Sequence, residues 1–340
     1  MNPLNQHRVN KHQTTNKPET MNTSSSISCK TFLQASQKGN ITKLIELASI
    51  NDVQDWTVYR HDASGDTALH LAAREGHLEV VKYLCETWQE PPFRTEVANK
   101  DMKRPLHDAA QSAKLDVLEY LLGQGAAVDP LKRADWTPLM LACTKVGDEA
   151  ASCVKALLRH GAASELQNKD GWTPLMVACR TGNVDAVKSL VTHATRSVYM
   201  RSKNGRSPLH IAAFHGHPNI IDLILSEDSD LINWQDSSGS TPLLESVKSG
   251  DLATVQRLID LKADVNAVDN AGQNILHIAA QCGNTEMIEY ILNRKLVDIE
   301  SPALHGITPL MFAEKNQQLK AIKILSSFQP NTKVAVNYTR

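Results

Sequence analysis

The sequence predicts an all-α solenoid of about nine helix-turn-helix repeats with polar terminal caps. Three observations support this fold class. A four-residue motif recurs eight times at steps of 33 to 37 residues, a glycine recurs nine residues after the start of the motif, and helical patterns of apolar residues lie on both sides of that glycine. Recurrence with a period of about 20 to 50 residues is typical of units that stack and bury a continuous core.

The recurring motif is Thr-Pro-Leu-His or a near variant of it. It begins at Thr67, Arg104, Thr137, Thr173, Ser207, Thr241, Asn274 and Thr308. A Thr or Ser hydroxyl can accept hydrogen bonds from the backbone amides that open a helix. Proline suits the first helical position, because its missing N–H would have no partner there. The motif therefore predicts the start of the first helix in each repeat.

The residues after the motif predict the rest of the unit. Ala72 and Ala73 are small enough to let neighbouring helices approach closely. Gly76 can end the first helix in a left-handed conformation, and residues 78–84 have apolar side chains at helical spacing. A period near 33 residues with this motif resembles the ankyrin repeat, a turn followed by two antiparallel helices. The resemblance implies binding rather than catalysis.

A first repeat without the motif is expected before Thr67, since Phe32, Ala35 and Gly39 follow the same template. The polar residues Gln34 and Glu314 lie in the first and last repeats, where a solenoid needs soluble ends. The repeat domain is predicted to span residues 29–326. We expect a disordered polar tail at 1–28, since its composition cannot offset the entropy lost on ordering, and a short tail at 327–340.

Composition predicts a monomeric scaffold in the cytoplasm, with the nucleus left open. The chain has 340 residues, a net charge of -1 and 41% hydrophobic residues. Its six cysteines lack paired short spacings, so neither a disulfide framework nor a zinc site is expected. No apolar run approaches the roughly 18 to 20 residues of a membrane span, and the first residues lack the apolar stretch of a secretory signal. We expect no cofactor, no metal and no membrane contact.

Residues with catalytic potential have structural interpretations. The motif histidines are expected to bond across the turn and tie adjacent repeats together, and two cysteines take the place of small core alanines. These residues are His70, His107, His210, His277, Cys143 and Cys179. A nucleophile would need a base and an orienting group nearby, and no such set is recognisable. The chain is therefore predicted not to be an enzyme.

Positions that vary between repeats predict the binding surface. Cations recur four residues before the motif in four consecutive repeats, and tryptophan precedes the motif in two adjacent repeats. The predicted partner-binding residues are Lys100, Arg133, Trp136, Lys169, Trp172 and Lys203. Neighbouring Lys103, Arg104, Lys132, Arg201 and Arg206 are expected to widen the cationic ladder. A local positive field favours an acidic partner, exposed tryptophans are typical interface anchors, and the near-neutral net charge disfavours nucleic acid.

One stretch carries a narrower resemblance. Residues 99–142, above all KRPLH and LKRADWTPLM, together with NKDGW at 168–172, are similar to the ankyrin repeat domain-containing protein 16 family. The resemblance implies a co-regulator of translation fidelity that binds the catalytic domain of alanyl-tRNA synthetase and limits serine misincorporation. The alternative is a generic ankyrin adaptor for signalling or for ubiquitin-ligase substrate recruitment.

The same resemblance implies that lysines on the turns accept misactivated serine. An aminoacyl adenylate is reactive enough for a nearby neutral amine to take its acyl group. The family's acceptor positions match Arg133, Lys169 and Tyr199, of which only Lys169 offers an amine. Lys132 and Lys203 lie close by in sequence. The candidate serine-accepting residues are therefore Lys169, Lys132 and Lys203.

Overall fold

The protein is described by a computed structural model that covers residues 23–87 and 94–328. Within these ranges the chain forms eighteen α-helices in nine successive pairs, with no β-strand beyond isolated bridges. Each pair is one repeat, numbered 1 to 9 along the chain, so the motif at Thr67 opens repeat 2. The predicted all-α repeat solenoid is confirmed.

The helix bounds follow the repeats. The pairs are α1 (Thr23–Gln37) with α2 (Ile41–Ile50), α3 (Ala68–Glu75) with α4 (Leu78–Glu86), α5 (Pro105–Gln111) with α6 (Leu115–Gly123), α7 (Pro138–Ala142) with α8 (Asp148–Arg159), α9 (Pro174–Thr181) with α10 (Val184–His193), α11 (Pro208–Phe214) with α12 (Pro218–Glu227), α13 (Pro242–Ser249) with α14 (Leu252–Asp260), α15 (Ile275–Cys282) with α16 (Thr285–Asn293), and α17 (Pro309–Lys315) with α18 (Leu319–Phe328). Short 3-10 helices lie at Trp56–Val58, Arg94–Glu96, Arg133–Asp135, Thr195–Tyr199, Ser229–Asn233 and Leu304–Gly306.

The described helices extend slightly into the ranges predicted for both tails. Helix α1 begins at Thr23, inside the range 1–28 that the sequence assigns to a tail. Helix α18 ends at Phe328, just inside the range predicted for the second tail. The remaining parts of both tails, 1–22 and 329–340, lie outside the described residues, so their disorder stays a prediction.

The motif begins the first helix of its repeat, as its chemistry predicts. Its first residue is the N-cap of the first helix in repeats 2 to 9. Thr137 Oγ1, for example, accepts from the backbone N–H of Met140 at 3.2 Å. Gly76 ends α3 with φ at 86°, in the left-handed region that favours glycine. Local capping therefore sets the start and the end of these helices.

One core runs the length of the rod. The first helix of each repeat packs on the first helix of the next, and most of the second helices pack likewise. The motif leucine is fully buried between its neighbours, as at Leu106, Leu139 and Leu175. In repeat 9, where no described repeat follows, Leu310 is only partly buried. Each repeat therefore depends on its neighbours for the burial of its apolar faces.

The motif histidines join successive repeats, as predicted. His70 Nε2 donates to the carbonyl of Lys103 at 2.8 Å, and His107 Nε2 donates to the carbonyl of Trp136 at 3.2 Å. In each ring Nδ1 accepts a backbone N–H from the start of its own motif, at 3.2 Å from Thr67 and 3.0 Å from Arg104. His210 and His277 repeat this arrangement. These contacts require a neutral ring with its proton on Nε2.

Candidate partner-binding surface

The turns that precede the motif, called here the finger turns, are joined by backbone hydrogen bonds. The N–H of Arg133 donates to the carbonyl of Asp101 at 2.8 Å, and the N–H of Lys169 donates to the carbonyl of Ala134 at 3.0 Å. The N–H of Lys203 likewise bonds to the preceding turn, at 3.1 Å from the carbonyl of Asp170. Consecutive finger turns therefore lie in register.

These bonds show where the predicted cations lie. Lys100, whose N–H donates to the carbonyl of Ser64 at 3.0 Å, occupies the same place as Arg133, Lys169 and Lys203 in the turns that follow. All four side chains are exposed. The structure therefore brings the four cations onto equivalent positions of four consecutive finger turns.

The charged ends of these four side chains differ in their availability. Lys100 Nζ donates to the carbonyl of Asp62 at 2.5 Å, and Arg133 pairs with Asp101 at 3.2 Å. The ammonium groups of Lys169 and Lys203 make no hydrogen bond or ion pair within residues 23–87 and 94–328. The freely available part of the ladder is therefore the pair Lys169 and Lys203.

Three of the five cations expected to widen the ladder are instead held by acids of the same chain, whereas Lys132 and Arg201 stack on the rings of Trp136 and Trp234. Lys103 Nζ lies 2.6 Å from Asp108 and its side chain is 14% exposed. Arg104 pairs with Glu96, and Arg206 pairs with Glu245. Their charges are neutralised inside the rod, so they add little to the field that a partner meets.

The structural place of Tyr199 differs from the sequence prediction. Tyr199 ends the 3-10 helix Thr195–Tyr199, and its hydroxyl donates to Asp228 at 3.1 Å. The finger-turn place in this repeat belongs to Lys203, whose N–H makes the ladder bond. Lys203 stands four residues before the motif at Ser207, as Lys169 does before Thr173, whereas Tyr199 stands eight residues before it. Repeat 6 therefore carries a lysine at the finger turn after all.

Trp136 and Trp172 are not the exposed anchors that the sequence suggests. Both indoles are half-buried and pack against the core. A cation stacks on each ring, with Lys132 Nζ 5.8 Å from the Trp136 centroid and the Arg180 guanidinium carbon 5.8 Å from the Trp172 centroid. The two rings line a cavity of about 390 Å³. They are walls of a pocket rather than projecting side chains.

The chemistry of Lys132 bears on its candidacy as an amine acceptor. Burial lowers the pKa of its ammonium group, and the nearby charges of Lys103 and Arg133 lower it further against the opposing effect of Asp101. A lowered pKa increases the neutral, nucleophilic fraction of a lysine near neutral pH. Lys132 is half-buried, whereas Lys169 is exposed.

The buried thiols do not suggest a nucleophile. Cys143 and Cys179 are fully buried, as predicted for small core residues, and burial raises the pKa of both thiols. Nowhere in residues 23–87 and 94–328 do three or more His, Cys, Asp or Glu side chains gather in a way that could hold a metal ion. None of the described helices has the length and apolar composition needed to cross a bilayer.

Comparison with known proteins decides the family. A family profile described as "Ankyrin repeats (3 copies)" matches residues 32–134, 106–202, 139–236, 195–269 and 243–336, which together span most of the chain. The chain belongs to the ankyrin repeat family. Each of the nine helix pairs is therefore one ankyrin repeat. The capping motif opens the first helix of a repeat, and the finger turn precedes that motif.

Several ankyrin repeat relatives align with most of the chain. B-cell lymphoma 3 protein homolog of Mus musculus is 31% identical over 276 residues, covering 80% of this chain and 54% of the relative. Transient receptor potential cation channel subfamily A member 1 of Drosophila melanogaster is 28% identical over 271 residues, covering 77% of this chain and 22% of the relative. This ankyrin repeat protein spans about half the length, or less, of these relatives. Their names differ widely, so family membership establishes a binding fold without identifying the partner.

Proposed function

We propose that the protein is a non-catalytic scaffold that binds an acidic protein partner through its finger turns. The supporting observation is the pair of unpaired ammonium groups on Lys169 and Lys203, on consecutive turns joined main chain to main chain. A partner carboxylate can pair with either lysine without breaking an existing ion pair. The ordered turns lower the entropy lost on binding, because their backbone is already fixed.

The charge pattern around these lysines favours a protein surface over a polyanion. Asp170 directly follows Lys169, and Asp135 lies on the preceding turn. Cations therefore alternate with carboxylates along the fingers, and the chain as a whole has a net charge of -1. A partner with discrete acidic groups fits this alternation better than a continuous phosphate backbone does.

Reversing the two free cations tests this surface. In recovery of partners from cells, K169E/K203E should lose proteins that the wild type retains, because it places like charges opposite an acidic partner. For a recovered partner, we expect the association rate to fall by about tenfold or more. The matched control is K320E/K323E, which makes the same charge change at exposed lysines of α18. Equal recovery by both double variants would contradict the finger-turn proposal.

A narrower proposal names the partner as the catalytic domain of alanyl-tRNA synthetase. It rests on the resemblance of residues 99–142 and 168–172 to the ankyrin repeat domain-containing protein 16 family. The generic adaptor, for signalling or ubiquitin-ligase substrate recruitment, uses the same finger turns for another acidic protein. Direct binding of purified synthetase separates the two, since the adaptor would show no affinity for it.

Serine capture is a separate expectation within the synthetase proposal. The neutral ε-amine attacks the acyl carbonyl of seryl adenylate, an amide bond forms, AMP leaves and the amine loses a proton. We expect mass spectrometry of protein incubated with synthetase, ATP and serine to find a seryl adduct on Lys169. Lys132 and Lys203 are the further candidate sites, Lys132 because of its lowered pKa. K169R, which keeps the charge but offers no neutral amine, should abolish that adduct. Binding with every lysine unmodified would contradict capture.

A further inference from the structure

The first helices and the residues just before them line a groove along the rod. In each repeat three residues line this groove. They are the residue before the motif and the residues four and seven positions after the first residue of the motif. In repeat 5 these are Trp172, Val177 and Arg180, which line one cavity. Six repeats place an apolar residue at the middle position, with Leu71, Leu141, Val177, Ile211, Ile278 and Phe312. Repeats 3 and 7 place an acid there.

On both sides of the centre, the groove's charges neutralise one another. In repeats 2 and 3, the fully buried Asp108 pairs with Lys103 at 2.6 Å and with Arg74 at 2.9 Å. In repeats 6 and 7, the fully buried Glu245 pairs with Arg206 and Lys248, each at 2.6 Å. Breaking such a pair would leave an uncompensated buried carboxylate. These stretches are therefore poorly suited to binding a charged ligand.

The centre of the groove differs from these two stretches in having a cation that no described carboxylate neutralises. The cavity of about 390 Å³ between Trp136 and Trp172 is also lined by Val177 and Arg180. The Arg180 side chain is exposed and forms no ion pair with a carboxylate of the described residues. An apolar wall, two indole rings and an unpaired guanidinium group thus meet in one pocket, between two stretches that are already satisfied.

Asn168 supplies a further hydrogen-bond donor to the pocket. Its side chain lines the same cavity and is only 5% exposed. Its Oδ1 accepts the N–H groups of Asp170 and Trp172, both at 2.9 Å. Its Nδ2 has no acceptor in the part of the chain that the structure describes. This amide group is therefore open to the cavity and available to donate to a ligand there.

Comparison with repeat 3 shows why this donor is unmet. Asn99 holds the equivalent place there, and its Nδ2 donates to Asp66, the residue before the preceding motif, at 2.6 Å. In repeat 4 the residue before the motif is Trp136, which offers no acceptor oxygen. The substitution of an indole for a carboxylate therefore both opens the apolar pocket and frees the Asn168 amide.

The pocket's polar groups that lack a hydrogen-bond partner among the described residues indicate the chemistry of the ligand. They are mainly donors: the Arg180 guanidinium, the Asn168 amide and the indole N–H groups of Trp136 and Trp172, which make no hydrogen bond to described residues. The lining also holds acceptors, namely the Asp170 carboxylate, which follows the cation Lys169 in sequence, and the hydroxyls of Thr144 and Thr181. We infer that this pocket binds an acidic peptide segment of the partner, with an apolar side chain between the indoles and an adjacent carboxylate on Arg180 and Asn168. The cavity volume lies near the lower end of small-ligand sites, which suits one side chain with its flanking backbone.

This inference rests on the proposed function for the acidic nature of the partner, but it concerns a different set of residues. The probe is a random library of 12-residue peptides displayed on phage, selected on immobilised full-length protein. We expect enriched peptides that carry a large apolar residue beside Asp or Glu. Their affinity, measured by fluorescence polarisation, should fall at least tenfold when the apolar residue is changed to alanine, because the pocket then stays empty.

Two variants address the donors. R180E reverses the pocket's cation, and N168D keeps Oδ1 for the two backbone N–H groups while removing the Nδ2 donor. Each should weaken the selected peptides at least tenfold with an unchanged circular dichroism spectrum. The matched control for R180E is K315E, the exposed equivalent position in repeat 9, which should bind like the wild type. Enrichment of basic peptides, absence of any enriched sequence, or full affinity in R180E would each overturn the inference. Loss of peptide binding in R180E but not in K169E/K203E would show that the peptide binds the pocket and does not need the finger-turn lysines.

Discussion

Lowering the pH from about 7 to about 5 should destabilise the protein by about 2 kcal/mol through His107 alone. Burial lowers the pKa of this ring from 6.5 to about 4, against the opposing effect of the hydrogen bond to the Trp136 carbonyl, and the nearby charges of Lys103 and Lys132 lower it further. Between these values the unfolded chain binds a proton that the folded protein does not. The contribution is therefore complete above about pH 6.5 and is lost as the pH falls through about 4. Burial also lowers the pKa of His70, His210 and His277.

The measurement is urea unfolding at several pH values, compared with H107M. Methionine is the chain's own residue at this position in repeats 4, 5 and 9, so the variant should keep the packing. It should be less stable than the wild type at neutral pH, having lost two hydrogen bonds, and its stability should depend less steeply on pH. The carboxylates Asp66 and Asp236 have pKa values below 3.8, so their effect lies at more acid pH. Identical pH slopes for the two proteins would refute the histidine mechanism.

Replacing Gly171 with alanine should cost about 2 to 4 kcal/mol and separate two finger turns. Gly171 has φ at 77°, and a Cβ there would lie 2.7 Å from the backbone nitrogen of Lys203. That nitrogen makes the bond to Asp170 that holds the turns in register. Neither backbone can move away without breaking this bond, so the clash adds to the cost of the left-handed conformation.

The control for this prediction is Gly161→Ala. Gly161 has φ at 84° and would place its Cβ in open space, so only the conformational cost of about 1 to 2 kcal/mol applies. Thermal unfolding of the two variants gives the difference in stability. Hydrogen exchange at the Lys203 amide reports the lost bond directly, and it should quicken in Gly171→Ala only. Equal losses of stability in both variants would show that turn stacking does not constrain this glycine.

The repeat architecture could be predicted from sequence because its determinants are local. Thr137 caps the helix that begins at the next residue, and Gly76 ends the helix that precedes it. The motif histidines were equally predictable, because their partner is a backbone carbonyl present in every repeat. Local chemistry, repeated nine times, leaves little room for another fold.

The surface was harder to predict because its contacts join different repeats through side chains. The pairing of Arg206 with Glu245 depends on one acid in the next repeat, and the half-burial of Trp136 depends on the neighbouring turn. The sequence did contain one indication of these contacts between repeats. Asp108 and Glu245 stand at a motif position that is otherwise apolar, and an acid there indicates a buried partner cation. The unmet amide of Asn168, in contrast, becomes visible only when its neighbours are placed in space.

Each of these finger turns is joined to the preceding one by a hydrogen bond between main-chain atoms. The residue that donates can be lysine, arginine, serine, asparagine or leucine, as at Lys169, Arg133, Ser237, Asn270 and Leu304, with the same bond formed each time. Mutation can therefore rewrite the outward-facing chemistry of every turn while the scaffold beneath stays intact. A protein built in this way can acquire a new cargo by point substitutions, and its partner can diverge faster than its shape.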